Sequence, residues 1–252
     1  MSMGNLMLER QLNHRTILEF KDGGIPEEVF NKLIEVARRT PTSNGMQASS
    51  IIRVTDNQKR KEIADVCKQE YVARAPELLI LIADQYRNYR IADEKGGYEP
   101  SARDMDRFFQ GFTDACLTAQ NIVNAAEALD LGVVYLGSIL NDAEKIIEIL
   151  ELPELTMPVL GLGIGYPNQN PQLKPRMSMD LRLFEYTYKK FDDYLEEIKE
   201  YDIEMQTYYD LREANKRVDS FSNQVVTKLK NLIPKRSDML KVMKKQGFDL
   251  NI

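Results

Sequence analysis

The chain has no tryptophan, one histidine and two cysteines among its 252 residues. One histidine rules out His-rich metal sites of the HExxH kind and leaves room for at most one Ser-His-Asp triad. Two cysteines cannot build a disulfide framework or a Cys-rich zinc site. Long apolar runs are also missing. The longest, near residues 78–83 and 157–166, fall short of the ~20 residues a membrane helix needs. The first ten residues, Met-Ser-Met-Gly-Asn-Leu-Met-Leu-Glu-Arg, lack the basic stretch followed by an apolar segment that marks a signal peptide. The expected compartment is the cytoplasm, with no membrane partner. Nor is there an excess of positive charge. Lys+Arg number 34 against 39 Asp+Glu, a net −5, which argues against nucleic acid as a partner. The basic residues from Lys228 to Lys245 read as the polar face of helices whose other face carries Val226, Leu229, Leu232, Leu240 and Val242. With side chains for metal or imidazole chemistry so scarce, an enzyme built on this chain would draw its chemistry from a bound cofactor.

A hydrophobic content of 43% and a charged content of 29% describe an ordinary globular chain. Its length suits one domain or two small ones. Pro26 opens a helix, and Val29, Phe30, Leu33, Ile34, Val36 and Ala37 then recur at helical spacing. Residues 40–45, Thr-Pro-Thr-Ser-Asn-Gly, stop that helix in a polar loop. Residues 50–55 are strand-like and 57–69 helix-like. Residues 77–83, Glu-Leu-Leu-Ile-Leu-Ile-Ala, form a continuous apolar run, as in a strand buried on both faces. Residues 85–103 are polar, an exposed loop or short helices. Residues 104–130 predict one long helix, apolar nearly all round at its centre and suited to a domain core or a subunit interface. Gly132 is expected to cap it. A short strand at 133–136, a helix at 142–150 and a buried strand at 157–165 complete an α/β or α+β core around a central sheet. Beyond Tyr166 come a turn-rich stretch with three prolines (167–176), an acidic, Tyr-rich helix (191–209) and a basic helical segment (222–245). No long flexible linker precedes this last third, so it reads as an extension on the core. Cys67 and Cys116 read as reduced, packed thiols.

Gly161-Leu162-Gly163-Ile164-Gly165 is not a dinucleotide loop, because its glycines alternate inside an apolar run instead of opening a helix. Alternating small residues let a flat group or another element approach the strand. Three other short segments carry polar chemistry. His14-Arg15-Thr16 offers a guanidinium fork and a hydroxyl that suit a phosphate. Lys174-Pro175-Arg176 presents two cations in a geometry set by the proline. Thr42-Ser43-Asn44 can hydrogen-bond a polar heterocycle or make a turn. Each alone also fits a solvated surface turn.

In order and spacing, His14-Arg15-Thr16, residues 42–47, Gln69, Tyr135-Leu136-Gly137-Ser138 and Leu173-Lys174-Pro175-Arg176 resemble the FMN-dependent nitroreductase family. The likeness is closest to its NADPH-dependent flavin reductase and oxygen-insensitive nitroreductase branch. It runs from about Leu8 to the C-terminus and includes Tyr208-Tyr209, Arg212, Arg217 and Ser222.

The resemblance implies an α+β fold with a central, mainly antiparallel sheet flanked by helices. It implies a single domain with a core at 8–166 and a helical extension at 167–252 that wraps a dimer partner, with the 104–130 helix as the dimer core. It implies FMN, held between subunits of a homodimer. His14, Arg15, Thr16, Lys174 and Arg176 would hold the phosphate and ribityl chain. Thr42, Ser43, Asn44, Gln47 and Gln69 would hydrogen-bond the flavin or its tail. Tyr135, Leu136, Gly137 and Ser138 would line one face of the isoalloxazine, Gly137 letting the backbone approach N5. Arg212 and Arg217 would take the 2′-phosphate of NADPH. No metal and no catalytic side chain is called for. The implied reaction is ping-pong hydride transfer from NADPH through flavin N5 to a nitroaromatic, quinone, azo or free flavin acceptor.

Two departures stand out. Leu18 occupies a position where the family usually has Arg or Lys near the flavin N1/O2 edge, a charge that stabilises the reduced flavin; Lys174 could substitute. Ser138 replaces the second glycine of the face-lining segment. Leu18 favours an alternative, an FMN-binding redox sensor or partner module with little turnover. A third reading is an acidic adaptor that binds a protein through its Tyr-rich helix.

Overall fold

The apolar run at residues 77–83 becomes the middle of the sheet. In the computed structural model, which describes residues 3–97, 99–210 and 216–250, it forms a strand buried along its whole length. The chain divides into two compact units, Met1–Asn170 with Ile233–Ile252, and Pro171–Leu232. The first unit runs through α1 (Met3–Leu12), α2 (Glu27–Arg38), β1 (Ser49–Arg53), α3 (Asn57–Cys67), α4 (Tyr71–Arg74), β2 (Glu77–Asp84), α5 (Tyr86–Glu94), the long α6 (Met105–Ala128), β3 (Gly132–Leu136), α7 (Ala143–Leu150) and β4 (Thr156–Gly165). The strand order is β1-β2-β4-β3 and every pairing is antiparallel. That settles the class as α+β, since an α/β core would need parallel strands. Residues 85–103 resolve into α5 and a 3-10 turn at Pro100–Arg103.

Both faces of β2 are covered. Leu79, Leu81 and Ala83 share one core with Ala115, Ala119, Ile122 and Ala126 of α6 and with Leu162 and Ile164 of β4. Leu78, Ile80 and Ile82 are buried as well. Each such aliphatic side chain contributes about 1.5–3 kcal/mol by leaving water, so this layer fixes α6 against the sheet. The Asp104 side chain caps the start of α6 by accepting from Asp106 N–H.

The end of α6 corrects the sequence reading. Asp130, at φ 58°, takes the left-handed position after the helix, a conformation that Asp tolerates better than most side chains. Gly132 is instead the first residue of β3, and a Cβ there would come within 2.6 Å of Ile17 Cγ1. The glycine therefore serves packing, not capping. It lets residues 16 and 17 lie along the sheet, with Ile17 N–H donating to Val133 O (2.9 Å) and Thr16 bridged to Val133. The alternating glycines of β4 act in the same way. A Cβ on Gly161 would press on Leu136 and Ile80, on Gly163 on Val134 and Ala75, and on Gly165 on Pro76 and Phe20.

The second unit contains α8 (Tyr194–Glu197), α9 (Lys199–Met205), the two-residue strands β5 (Tyr209–Asp210) and β6 (Lys216–Arg217), and α10 (Phe221–Lys230). The single helix expected at 191–209 is thus two short ones, broken where Ile198 leaves helical geometry (φ −98°, ψ 3°). Asp202 of α9 accepts from Ser222 N–H at 2.9 Å and from Ser222 Oγ at 2.5 Å, tying α9 to α10. The chain then re-enters the first unit as α11 (Pro234–Ser237) and α12 (Met239–Lys245). Val242, Met243 and Phe248 are buried there, and Phe248 packs edge-on against Phe108 at 5.2 Å. Of the apolar residues expected to face inward along the basic C-terminal stretch, Val242 does so. Val226, Leu229, Leu232 and Leu240 are exposed.

Candidate functional site

The polar loop after α2 is tightly coiled. Ser43–Gly45 is a 3-10 turn, and Asn44 (φ 52°), Gly45 (φ 69°) and Gln47 (φ 50°) all lie in the left-handed region. For the two non-glycine residues this costs roughly 1–2 kcal/mol each, so the surroundings must hold the loop. Asp114 does. Its fully buried carboxylate accepts Ser43 N–H at 2.8 Å and Ala48 N–H at 2.9 Å, one on each side of the turn. From α5, Asn88 donates to Met46 O at 3.0 Å, and the Arg87 guanidinium reaches Gln47 O and Ser50 Oγ. With these backbone groups tied down, Thr42 and Ser43 stand half-buried and Asn44 and Gln47 exposed.

His14, Arg15 and Thr16 follow α1 and are half-buried. His14 Nδ1 lies 2.5 Å from Glu127 Oε1, near the end of α6. The carboxylate fixes the ring and leaves Nε2 as its other polar atom. An Arg15 terminal amino group donates to Asn13 O at 2.9 Å. Thr16 is placed by its bridge to β3. On β3, Tyr135 Oη donates to Gln120 Oε1 at 2.9 Å. Burial, with the nearby Glu127 charge, pushes the Tyr135 phenol up to about 12, so it remains a neutral donor at physiological pH. A single helix, α6, thus supplies partners to the loop, to Tyr135 and to His14.

Leu136 is buried at the end of β3, and the Gly137–Asp142 turn follows. Gly137 is exposed, and a Cβ there would meet no heavy atom of the described residues within 4 Å. Ser138 Oγ donates to Gln69 Oε1 at 2.8 Å, bringing these two site residues together. Leu18, by contrast, is buried in the core. Cys67 and Cys116 are free thiols, and burial pushes both up in pKa, so neither is an activated nucleophile. The arrangement offers hydrogen-bonding groups on fixed backbone, and neither thiol is activated.

Lys174 and Arg176 belong to the second unit. The Lys174 ammonium lies 5.7 Å from the centre of the Tyr208 ring, and Arg176 donates to the carbonyls of Lys174 and Pro175. Arg217 is exposed, and its Nε donates to Gln206 O. Arg212 lies outside the described residues.

Asp114, Gln120 and Glu127 are absent from the sequence reading of the site. Asp114 did leave a signal, as a lone carboxylate in the apolar centre of a long helix, where burial demands hydrogen-bond partners.

Residues 12–166 match the Nitroreductase family and residues 174–251 match the Nitroreductase family, C-terminal domain. The chain belongs to the nitroreductase family. It is 33% identical over 250 residues to FMN reductase (NADPH) of Bacillus subtilis (strain 168), covering 98% of this chain and 100% of that one. It is 34% identical over 243 residues to Oxygen-insensitive NADPH nitroreductase of Salmonella typhimurium (strain LT2), covering 96% and 97%. The structure of NfrA1 nitroreductase from B. subtilis matches with a TM-score of 0.88 at 33% identity, covering 96% of this chain and 98% of that one. The nitroreductase fold expected from the motifs, with its antiparallel sheet, is therefore the fold observed. Among the described residues no cluster of three or more His, Cys, Asp or Glu could hold a metal, and no helix is long and apolar enough to cross a membrane.

Proposed function

We propose that the chain is an FMN-dependent NADPH oxidoreductase acting on small acceptors such as nitroaromatics, quinones, azo compounds or free flavin. The observation that carries this is the open space at Gly137, where the backbone is bare and Gln69 and Ser138 stand beside it. A flat ring can approach such a backbone closely. Relatives named FMN reductase (NADPH) and Oxygen-insensitive NADPH nitroreductase support the reading.

His14, Arg15, Thr16, Lys174 and Arg176 would hold the phosphate and ribityl chain, a donor set of the kind phosphate requires. Thr42, Ser43, Asn44, Gln47 and Gln69 would hydrogen-bond the flavin or its tail, and Tyr135 to Ser138 would line one ring face. Bound FMN supplies the two-electron chemistry, with hydride in from NADPH and out to the acceptor, the two substrates visiting in turn. The protein's task is orientation. Glu127 steadies His14, Asp114 steadies the polar loop, and Tyr135 keeps its proton.

Absorption spectroscopy of the purified protein tests this. Flavin bands that NADPH bleaches faster than NADH are the expected result. A colourless protein that takes up no added FMN would overturn the proposal. Arg217→Ala should raise the KM for NADPH about tenfold, the worth of one charge-assisted hydrogen bond, and leave the KM for NADH unchanged. Equal effects on both donors would remove Arg217 from the 2′-phosphate.

The buried Leu18 favours one second reading, an FMN-binding sensor with little turnover, because no cation at that position stabilises the reduced flavin. Steady-state NADPH oxidation with a quinone acceptor separates the two.

The active form in this proposal is a homodimer, with the 167–252 extension and the 8–166 core working as one domain. Leu8 and Leu12 of α1 and Phe109, Phe112 and Leu117 of α6 are exposed on the single chain and are the side chains that a partner subunit would cover in this reading. A monomeric mass in solution with FMN still bound would rule out a cofactor site shared between subunits.

A further inference from the structure

We infer that Ser138 is a positioning residue for Gln69, fixing which end of that amide faces a bound flavin. The inference rests on the reading of Gln69 as a flavin contact. The two ends of a glutamine amide are nearly equal in size, so the hydrogen bond each end makes decides which way it faces. Ser138 Oγ lies 2.8 Å from Gln69 Oε1. A hydroxyl has one hydrogen to give and two lone pairs to fill. That hydrogen goes to Gln69 Oε1, so the carbonyl end of the amide is held toward the serine.

The backbone around Gln69 is fixed too. Lys68 closes α3 in the left-handed region (φ 54°), and Gln69 N–H donates to Ala64 O at 3.1 Å. With the carbonyl end occupied, Gln69 presents its Nε2 amino group. Two N–H donors suit the acceptor atoms of a flavin ring (N1, O2, O4 or N5) and are wrong for its N3–H. A fixed donor at the acceptor edge stabilises electron density on the reduced ring, and it does so in a chain whose residue 18 is an uncharged leucine. Glycine, the residue the resemblance leads one to expect at position 138, has no hydroxyl and could not do this.

The test is a double-mutant cycle on FMN affinity, read by quenching of free-flavin fluorescence, with the midpoint potential of bound FMN as a second readout. Gln69→Ala should weaken FMN binding about tenfold. Ser138→Ala should weaken it about fivefold in the natural background and less than about twofold when Gln69 is already alanine. It should also lower the midpoint potential, whereas Ser138→Thr, which restores the hydroxyl, should return both values. Melting curves of Ser138→Gly guard against a folding defect in the alanine variant. Equal weakening by Ser138→Ala in both backgrounds would overturn the positioning role and leave Gln69 as a flavin contact. An unchanged affinity in Gln69→Ala would overturn the reading of Gln69 and this inference with it. A protein that binds no FMN in any form would remove the proposed function itself.

Discussion

Asp114→Ala is expected to cost the protein about 2–6 kcal/mol of folding stability, the loss that follows when two amides are left without their acceptor. Asp114 is fully buried, and its two oxygens accept Ser43 N–H and Ala48 N–H. Truncation leaves both amides without their acceptor, at roughly 1–3 kcal/mol each. It also releases a turn in which Asn44 and Gln47 sit in left-handed conformations. For a chain of this size each kcal/mol lowers Tm by about 2–4 °C, so the apoprotein should melt about 10 °C lower. Asp114→Asn keeps one acceptor and sets an amino group against the other N–H, so about half the loss is expected, following the same hydrogen-bond values. FMN affinity should fall in both variants, because Thr42 to Gln47 lose their fixed backbone. A melt of Asp114→Ala within a degree or two of the natural protein would show that the carboxylate does not hold the loop.

A pair of glycine substitutions should part folding from cofactor binding. Gly165→Ala puts a Cβ 2.5 Å from Pro76 Cγ and 2.9 Å from the Phe20 ring. Neither neighbour is the flexible end of a long side chain, so overpacking of about 1–3 kcal/mol is expected, seen as a lower Tm of the apoprotein. Gly137→Ala meets no atom of the described residues and needs no positive φ. Its apoprotein should melt at the natural temperature or slightly above, since alanine reduces the freedom of the unfolded chain. If a flavin ring lies over that backbone, the added methyl should weaken FMN about 10- to 100-fold, the same 1–3 kcal/mol now charged to the complex. Undiminished FMN binding by Gly137→Ala would place the ring elsewhere.

The sequence was most readable where local chemistry decides. The apolar run at 77–83 became the buried central strand, and the long helix at 104–130 became α6, because burial on both faces and apolar spacing are recorded in the residues themselves. The motif segments were legible as types, a phosphate-suited triplet and a polar loop. Their supports were not. Asp114 meets a partner 71 positions away and Glu127 one 113 positions away, and nothing in a linear pattern marks such a meeting. Sequence alone points to Gly132 for the turn after α6, since glycine is the usual left-handed residue. Tertiary packing of Ile17 had already claimed that glycine, and Asp130 took the turn. The composition of 191–209 favours helix throughout and predicts a single one, and composition does not show that Ile198 breaks it.

The three partners that α6 supplies make it a ruler. Asp114 and Glu127 are separated by about 20 Å of axis, and every residue inserted or removed between them would turn one against the other by about 100°. The loop at 42–47 and the ring of His14 would then lose their common frame, even if every side chain named here were kept. The number of residues between Asp114 and Glu127 is therefore itself part of the site, and exposed side chains along that stretch can change far more freely than its length.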